Sequence, residues 1–205
     1  RRDEDSHDIL GTFKILSNRA EMIRVPTSPE ELFAILSHRH TILLEGRPHM
    51  NPGVFKMKNN RAGQTEFVDY QLVKGTLSQG FKYYSALTDP FARAIFMMFM
   101  ISEVHPFNDG NGRIARVMMN AEFVRADQSR IIVPTVFRED YILALRKLTR
   151  HKDPMAYINV MTKLHQFSDN LYGTDFTELK NYLAACNAYE EPSQAKLQII
   201  DRSII

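Results

Sequence analysis

Residues 91–104 read FARAIFMMFMISEV and run directly into residues 105–113, HPFNDGNGR. After its first turn the former segment is apolar on every side, as in a helix buried at the centre of a bundle. The latter is too rich in glycine and asparagine to extend that helix. Helical spacing resumes at once. Ile114, Val117, Met118, Ala121 and Val124 fall on one face, while Arg113, Arg116 and Asn120 fall on another stripe. Two helices joined by a short polar loop are predicted, one central and the other turning a polar stripe toward a ligand. The fold class is mostly α.

Working outward, helix starts are written as a capping residue followed by proline, whose fixed φ suits the first helical position. This occurs at Ser28-Pro29, Asp89-Pro90 and Asp153-Pro154. Ser28 with Glu31, and Asp175 with Glu178, have capping-box spacing. Later helices are predicted at about 139–150, 154–170 and 176–188, the last with Phe176, Leu179, Leu183 and Cys186 on one face. Five or six helices are expected in all. One stretch departs from helical spacing: residues 54–58 (VFKMK) and 65–68 (TEFV) predict two short strands of a hairpin around the 59–64 loop. Residues near Glu190-Glu191-Pro192-Ser193 look like a linker.

With 205 residues, 44% of them hydrophobic, the chain can bury a core without disulfides. Cys186 is the only cysteine, which excludes an internal disulfide or a cysteine-based zinc site and favours a reducing, cytoplasmic setting. The longest apolar run is too short for a membrane span. The net charge of +2 gives no case for nucleic acid. Arg146, Lys147, Arg150, His151 and Lys152 cluster, but cations at a helix C-terminus complement its dipole, so nucleic acid is not expected as a partner. The chain begins Arg1-Arg2-Asp3, and we expect a piece of a longer protein.

The loop carries the chemistry. Its backbone N–H groups lead into a helix N-terminus, which favours anions, and glycine lets phosphate oxygens approach the chain closely. Arg113 and Arg116, three apart on the following helix, offer two guanidinium groups, which match phosphate oxygens. Asp109 is a single carboxylate of the kind that holds Mg²⁺ together with phosphates. His105, at the loop entry, has the ordinary pKa of a general base at neutral pH. No Walker-type or dinucleotide-binding glycine pattern is present, and an EF-hand counted from Asn108 or Asp109 lacks its final Glu.

Residues 105–116, HPFNDGNGRIAR, resemble the Fic-family signature H-x-F-x-[DE]-G-N-G-R-x-x-R at every specified position. The preceding helix and the PGVFKMKNNRAGQTEFV segment are also similar to that family, so the resemblance covers roughly 50–170. It implies a Fic-like helical bundle with a small β-hairpin flap near the active site, and an adenylyltransferase that moves AMP from ATP, with Mg²⁺, to a Ser, Thr or Tyr hydroxyl of a target protein. His105 would be the base, and Phe107 would support the loop from below. Asp109 would hold the metal. Gly110, Asn111 and Gly112 would form the anion hole, with Arg113 reaching the β-phosphate and Arg116 the γ-phosphate. Gly112 stands where the related kinase-like Doc branch tends to carry lysine.

The organisation expected is an N-terminal helical extension (1–40), a Fic-like catalytic core (41–170) and a C-terminal helical extension (171–205). An exposed strand edge can pair with an extended segment, so Phe67 and Val68 are assigned to a flap that docks the target. Asn120, on the arginine stripe, is placed near the nucleotide. Thr41 to Gly46 (TILLEG) has the form of the family's inhibitory motif, but Gly46-Arg47-Pro48 is an ordinary helix stop, and inhibition is assigned instead to a missing segment or a separate partner protein. The alternatives are transfer of another nucleotide or phosphoryl group, removal of AMP, and a non-enzymatic nucleotide-sensing or DNA-binding regulator.

Overall fold

The computed structural model describes residues 3–63 and 65–202. They divide into two compact units, 1–128 and 129–205. The first contains α1 (Asp3–Ser17), α2 (Arg19–Met22), α3 (Pro29–Leu43), strands β1 (Arg61–Ala62) and β2 (Thr65–Glu66), α4 (Val73–Ala86), α5 (Pro90–Val104) and α6 (Asn111–Arg125). The second contains α7 (Arg138–His151), α8 (Pro154–Asp169) and α9 (Phe176–Ala185).

In the first unit α5 and α6 form the central antiparallel pair. Asp89 accepts from the Ala92 N–H at 2.8 Å and Pro90 follows it, so α5 starts where its sequence says. Ala94, Met97, Met98 and Ile101 are sealed from solvent, and α4 and α6 flank them. A second cluster joins Ile15 of α1, Met22, Leu43, Leu44, Val117 and Ala121, the five larger side chains each contributing about 1.5–3 kcal/mol on burial. Arg39 crosses this region fully buried. It donates to the Glu21 carboxylate at 2.9 Å and to the Glu21 and Arg24 carbonyls at 2.6 and 2.7 Å, closing the end of α2.

The three Ser/Asp-Pro starts all cap as expected, but the two capping boxes do not close. Glu31 bonds the Thr27 N–H and hydroxyl instead of the N-cap N–H. Glu178 turns away to pair with Arg202. The α9 face is also shifted from the expected one: Phe176 is 79% exposed, and Tyr182 is buried beside Cys186 instead. The expected linker near 190–193 is followed by chain that packs back on the second unit, where Gln198 N–H donates to the Cys186 carbonyl and Leu197 is buried.

Residues 54–58 are not a strand. The hairpin is β1 paired antiparallel with β2, Arg61 opposite Glu66 and Ala62 opposite Thr65. The reason lies in competing partners. Lys56 N–H donates to the Pro106 carbonyl at 2.8 Å, so 54–58 is laid along the 105–107 loop, and contact with the 65–68 stretch begins only at Asn60, whose carbonyl accepts from the Phe67 N–H at 3.3 Å. Among the described residues no helix is long and apolar enough to cross a membrane.

Candidate active site

His105 ends α5 in the left-handed region, φ 50° and ψ 59°, which turns the chain out of the helix and projects its side chain at the loop entry. Its Nδ1 lies 3.2 Å from the Ser102 carbonyl. A carbonyl only accepts, so Nδ1 carries the proton and Nε2 keeps its lone pair. Phe67 stacks on the imidazole, with ring centroids 3.6 Å apart and planes 4° from parallel. Burial, then the charge of nearby Lys56, lower the His105 pKa to about 4 against the opposing pull of Ser102 and Asp109. The imidazole is therefore neutral at physiological pH, and a weaker base than the ordinary histidine expected from the sequence.

The loop is held rigidly from below. Asn111 is turned inward: its amide oxygen accepts from the Phe107 N–H and its amide nitrogen donates to the Phe107 carbonyl, both at 2.8 Å. Asn60 donates to the same carbonyl at 2.9 Å. Asn111 can therefore offer an anion only its backbone N–H. Phe107 is fully buried and stacks face to face on His40, centroids 3.7 Å apart. His40 was not singled out from sequence. Its Nδ1 accepts from the Gly53 N–H at 2.9 Å, and its Nε2–H donates to the Asp109 carbonyl at 3.0 Å. Burial lowers its pKa to about 4, so this link between flap root and loop stays neutral.

Gly110 begins α6 with φ 74°, and a β-carbon there would lie 2.9 Å from Leu43 Cδ2. The left-handed turn and the tight packing both require glycine. Gly112 is exposed, and its open side faces Arg116. The α6 N-terminus carries no side-chain cap, so its first N–H groups have no side-chain oxygen closing them. Arg113 on this first turn and Arg116 on the next are both half-buried. Asp109 accepts from its own Gly110 N–H at 2.7 Å and from Arg47 at 2.7 Å. Burial works to raise its pKa, but Gly110, Arg47 and Arg113 outweigh that and hold it below the ordinary carboxylate value.

Loop, arginines, Asp109 and His105 are thus brought together at one end of the α5–α6 pair. Residues 27–122 match the Fic/DOC family. That stretch contains the loop, the hairpin and α3 through most of α6, whereas α1 precedes it. Over 115 residues the chain is 30% identical to protein adenylyltransferase fic-1 of Caenorhabditis elegans, a match that covers 55% of this chain and 22% of that protein. Over 107 residues it is 28% identical to a Fido domain-containing protein of Dictyostelium discoideum, covering 50% and 75% respectively. The architecture is that of solved Fic proteins. Fic-1 of C. elegans superposes with a TM-score of 0.67 at 18% identity over 91% of this chain and 53% of that one. A Fic domain-containing signalling protein of Bacteroides thetaiotaomicron gives 0.66 at 15% identity, over 79% and 69%. The chain spans about a fifth of the adenylyltransferase it matches, as the 22% coverage states.

Asn120, expected near the nucleotide, is buried at 7% exposure on α6, nine residues beyond Asn111 or about 13 Å along the helix axis. Phe67 and Val68 lie just beyond β2, with Phe67 against the catalytic candidate itself. Glu45 is exposed and pairs with Lys14.

Proposed function

We propose that this chain transfers AMP from ATP to a Ser, Thr or Tyr hydroxyl of a protein. The observation that carries this reading is the contact of His105 Nδ1 with the Ser102 carbonyl at 3.2 Å, which leaves Nε2 to act as the base at the entry of the loop that leads into α6. The relatives named protein adenylyltransferase support the class of reaction.

His105 Nε2 takes the proton of the target hydroxyl as that oxygen bonds to the α-phosphorus. The bond from the α-phosphorus to the bridging oxygen breaks, and pyrophosphate leaves with both electrons of that bond. The N–H groups of Asn111 and Gly112 donate to the phosphate oxygens, that of Gly110 being already bonded to Asp109, while Arg113 meets the β- and Arg116 the γ-phosphate. Asp109 is the single half-exposed carboxylate of the loop, and among the described residues no group of three or more His, Cys, Asp or Glu is gathered. Such a donor set fits Mg²⁺ held jointly by one carboxylate and nucleotide oxygens, not a resident metal. When bound, the ion neutralises charge on the leaving pyrophosphate. The exposed edge beside Phe67 and Val68 serves an extended target segment. Proline at Val68 should weaken protein modification far more than ATP binding, measured side by side.

The decisive test is incubation with α-labelled or γ-labelled ATP and Mg²⁺, with intact mass of the chain and of added proteins. Label kept only from the α-phosphate, and lost in His105→Ala, supports AMP transfer. Retained γ-label would show phosphoryl transfer instead.

A further inference from the structure

Beneath the loop four charged side chains close a ring. Asp8 of α1 pairs with Arg113, and with Arg47 at 2.9 Å. Arg47 pairs with Asp109 at 2.7 Å, and Asp109 returns to Arg113 at 3.6 Å. Signs alternate around the ring, so each charge has two opposite neighbours. Asp8 is a helix residue far from the loop in sequence, and it arrives there because α1 docks unusually close. A β-carbon on Gly11 would fall 2.4 Å from the Leu43 carbonyl oxygen, and one on Gly46 would fall 2.6 Å from His7.

The ring is retained despite a polar cost. Asp8 Oδ1 and Arg47 Nε are buried without hydrogen-bond partners, the kind of exception that calls for a functional reason. Exposure divides the four members. The Asp8 and Arg47 side chains are 4% and 8% exposed, whereas those of Arg113 and Asp109 are 28% and 40% exposed. The outer pair is open to a ligand, whereas the inner pair is largely closed to it. The longest edge, between Asp109 and Arg113, lies between the two exposed members, where an incoming phosphate would part them.

We propose that Asp8 and Arg47 are positioning residues: Asp8, on a helix outside the 27–122 match, aims the Arg113 guanidinium at the nucleotide, and Arg47 fixes the Asp109 carboxylate beside it. This rests on the nucleotide reading of the site. Asp8 acts from behind Arg113 and does not occupy the phosphate position, because it is more deeply buried than the arginine it holds. The N-terminal helix is then part of the active site.

The test is equilibrium binding of ADP and of AMP to the purified chain at fixed Mg²⁺, with thermal unfolding of every variant. Arg113, assigned to the β-phosphate, should matter for ADP and not for AMP. Asp8→Asn and Arg47→Lys should each weaken ADP roughly tenfold while AMP changes less than about twofold, as losing a hydrogen bond to a charged group predicts. Asp8→Asn should add nothing in an Arg113→Ala background. Unchanged or tighter ADP binding in both single variants overturns the proposal, as does an equal loss for ADP and AMP. Should Asp8→Asn not fold, Asp8→Glu and Arg47→Lys decide the matter by the same ADP-to-AMP comparison. A wild-type chain that binds ADP no better than AMP, with Arg113→Ala silent, would instead remove the nucleotide reading itself.

Discussion

The floor and the roof of the site use the same pair of residue types for opposite ends. Below the loop His40 stacks on Phe107, and above it His105 stacks on Phe67. Both imidazoles are neutral, with pKa lowered to about 4 chiefly by burial. In the floor both ring nitrogens are engaged, by Gly53 and Asp109, so the ring is a clamp. In the roof one nitrogen is engaged by Ser102, so the ring keeps a lone pair to use. What separates a structural histidine from a reactive one here is neither burial nor stacking, but the number of nitrogens already bonded.

Four experiments probe that contrast, in descending order of effect. His105→Ala should reduce transfer by about 10²–10⁴, the usual contribution of a general base, while ATP binding by calorimetry stays within error. Asn111→Ala strands the Phe107 N–H beneath the loop and leaves its carbonyl to Asn60 alone. It should lower unfolding free energy by about 1–3 kcal/mol in denaturant titration and lower activity with it.

The third is a pH measurement. Between pH 6.5 and 4 an unfolded chain protonates His40 and the folded one does not, so the unfolded state binds more protons and stability falls as pH falls. The slope attributable to His40 is about 1.4 kcal/mol per pH unit, absent in His40→Asn and flat above pH 6.5. The acid limb of the transfer reaction should likewise lie near the His105 pKa of about 4, not near 6.5. Fourth, Phe67→Ala opens the roof to water, which raises the His105 pKa and moves that limb upward with little loss of stability. An unmoved limb would show that Phe67 does not shield the base. By contrast Glu45→Gly should leave self-modification unchanged, since it removes only an exposed pair with Lys14.

Features set by local chemistry were legible in the sequence. The proline-marked helix starts, the α5 core and the loop with its following arginines depend on residues within one or two turns of each other. Residues whose role depends on distant chain were not. Asp8, His40 and Arg47 are an acid, a histidine and an arginine on or beside unremarkable helices, and only packing brings them under the loop. Residues 54–58 have strand composition, yet Pro106 competes successfully for the Lys56 N–H. The α4 helix is weakly marked in the sequence, since Gly75 and Gly80 lower its helix propensity. A β-carbon on Gly80 would fall 2.4 Å from Met100 Sδ, so a larger residue there would force that side chain to move.

The stacking of Phe67 on His105 has a spectroscopic consequence. An aromatic ring parallel to an imidazole shields the protons of that imidazole through its ring current. The His105 ring protons should therefore resonate upfield of their ordinary position while the flap is down, and move downfield when a bound target lifts it. His105 thus carries its own nuclear magnetic reporter of flap position, readable without any added probe.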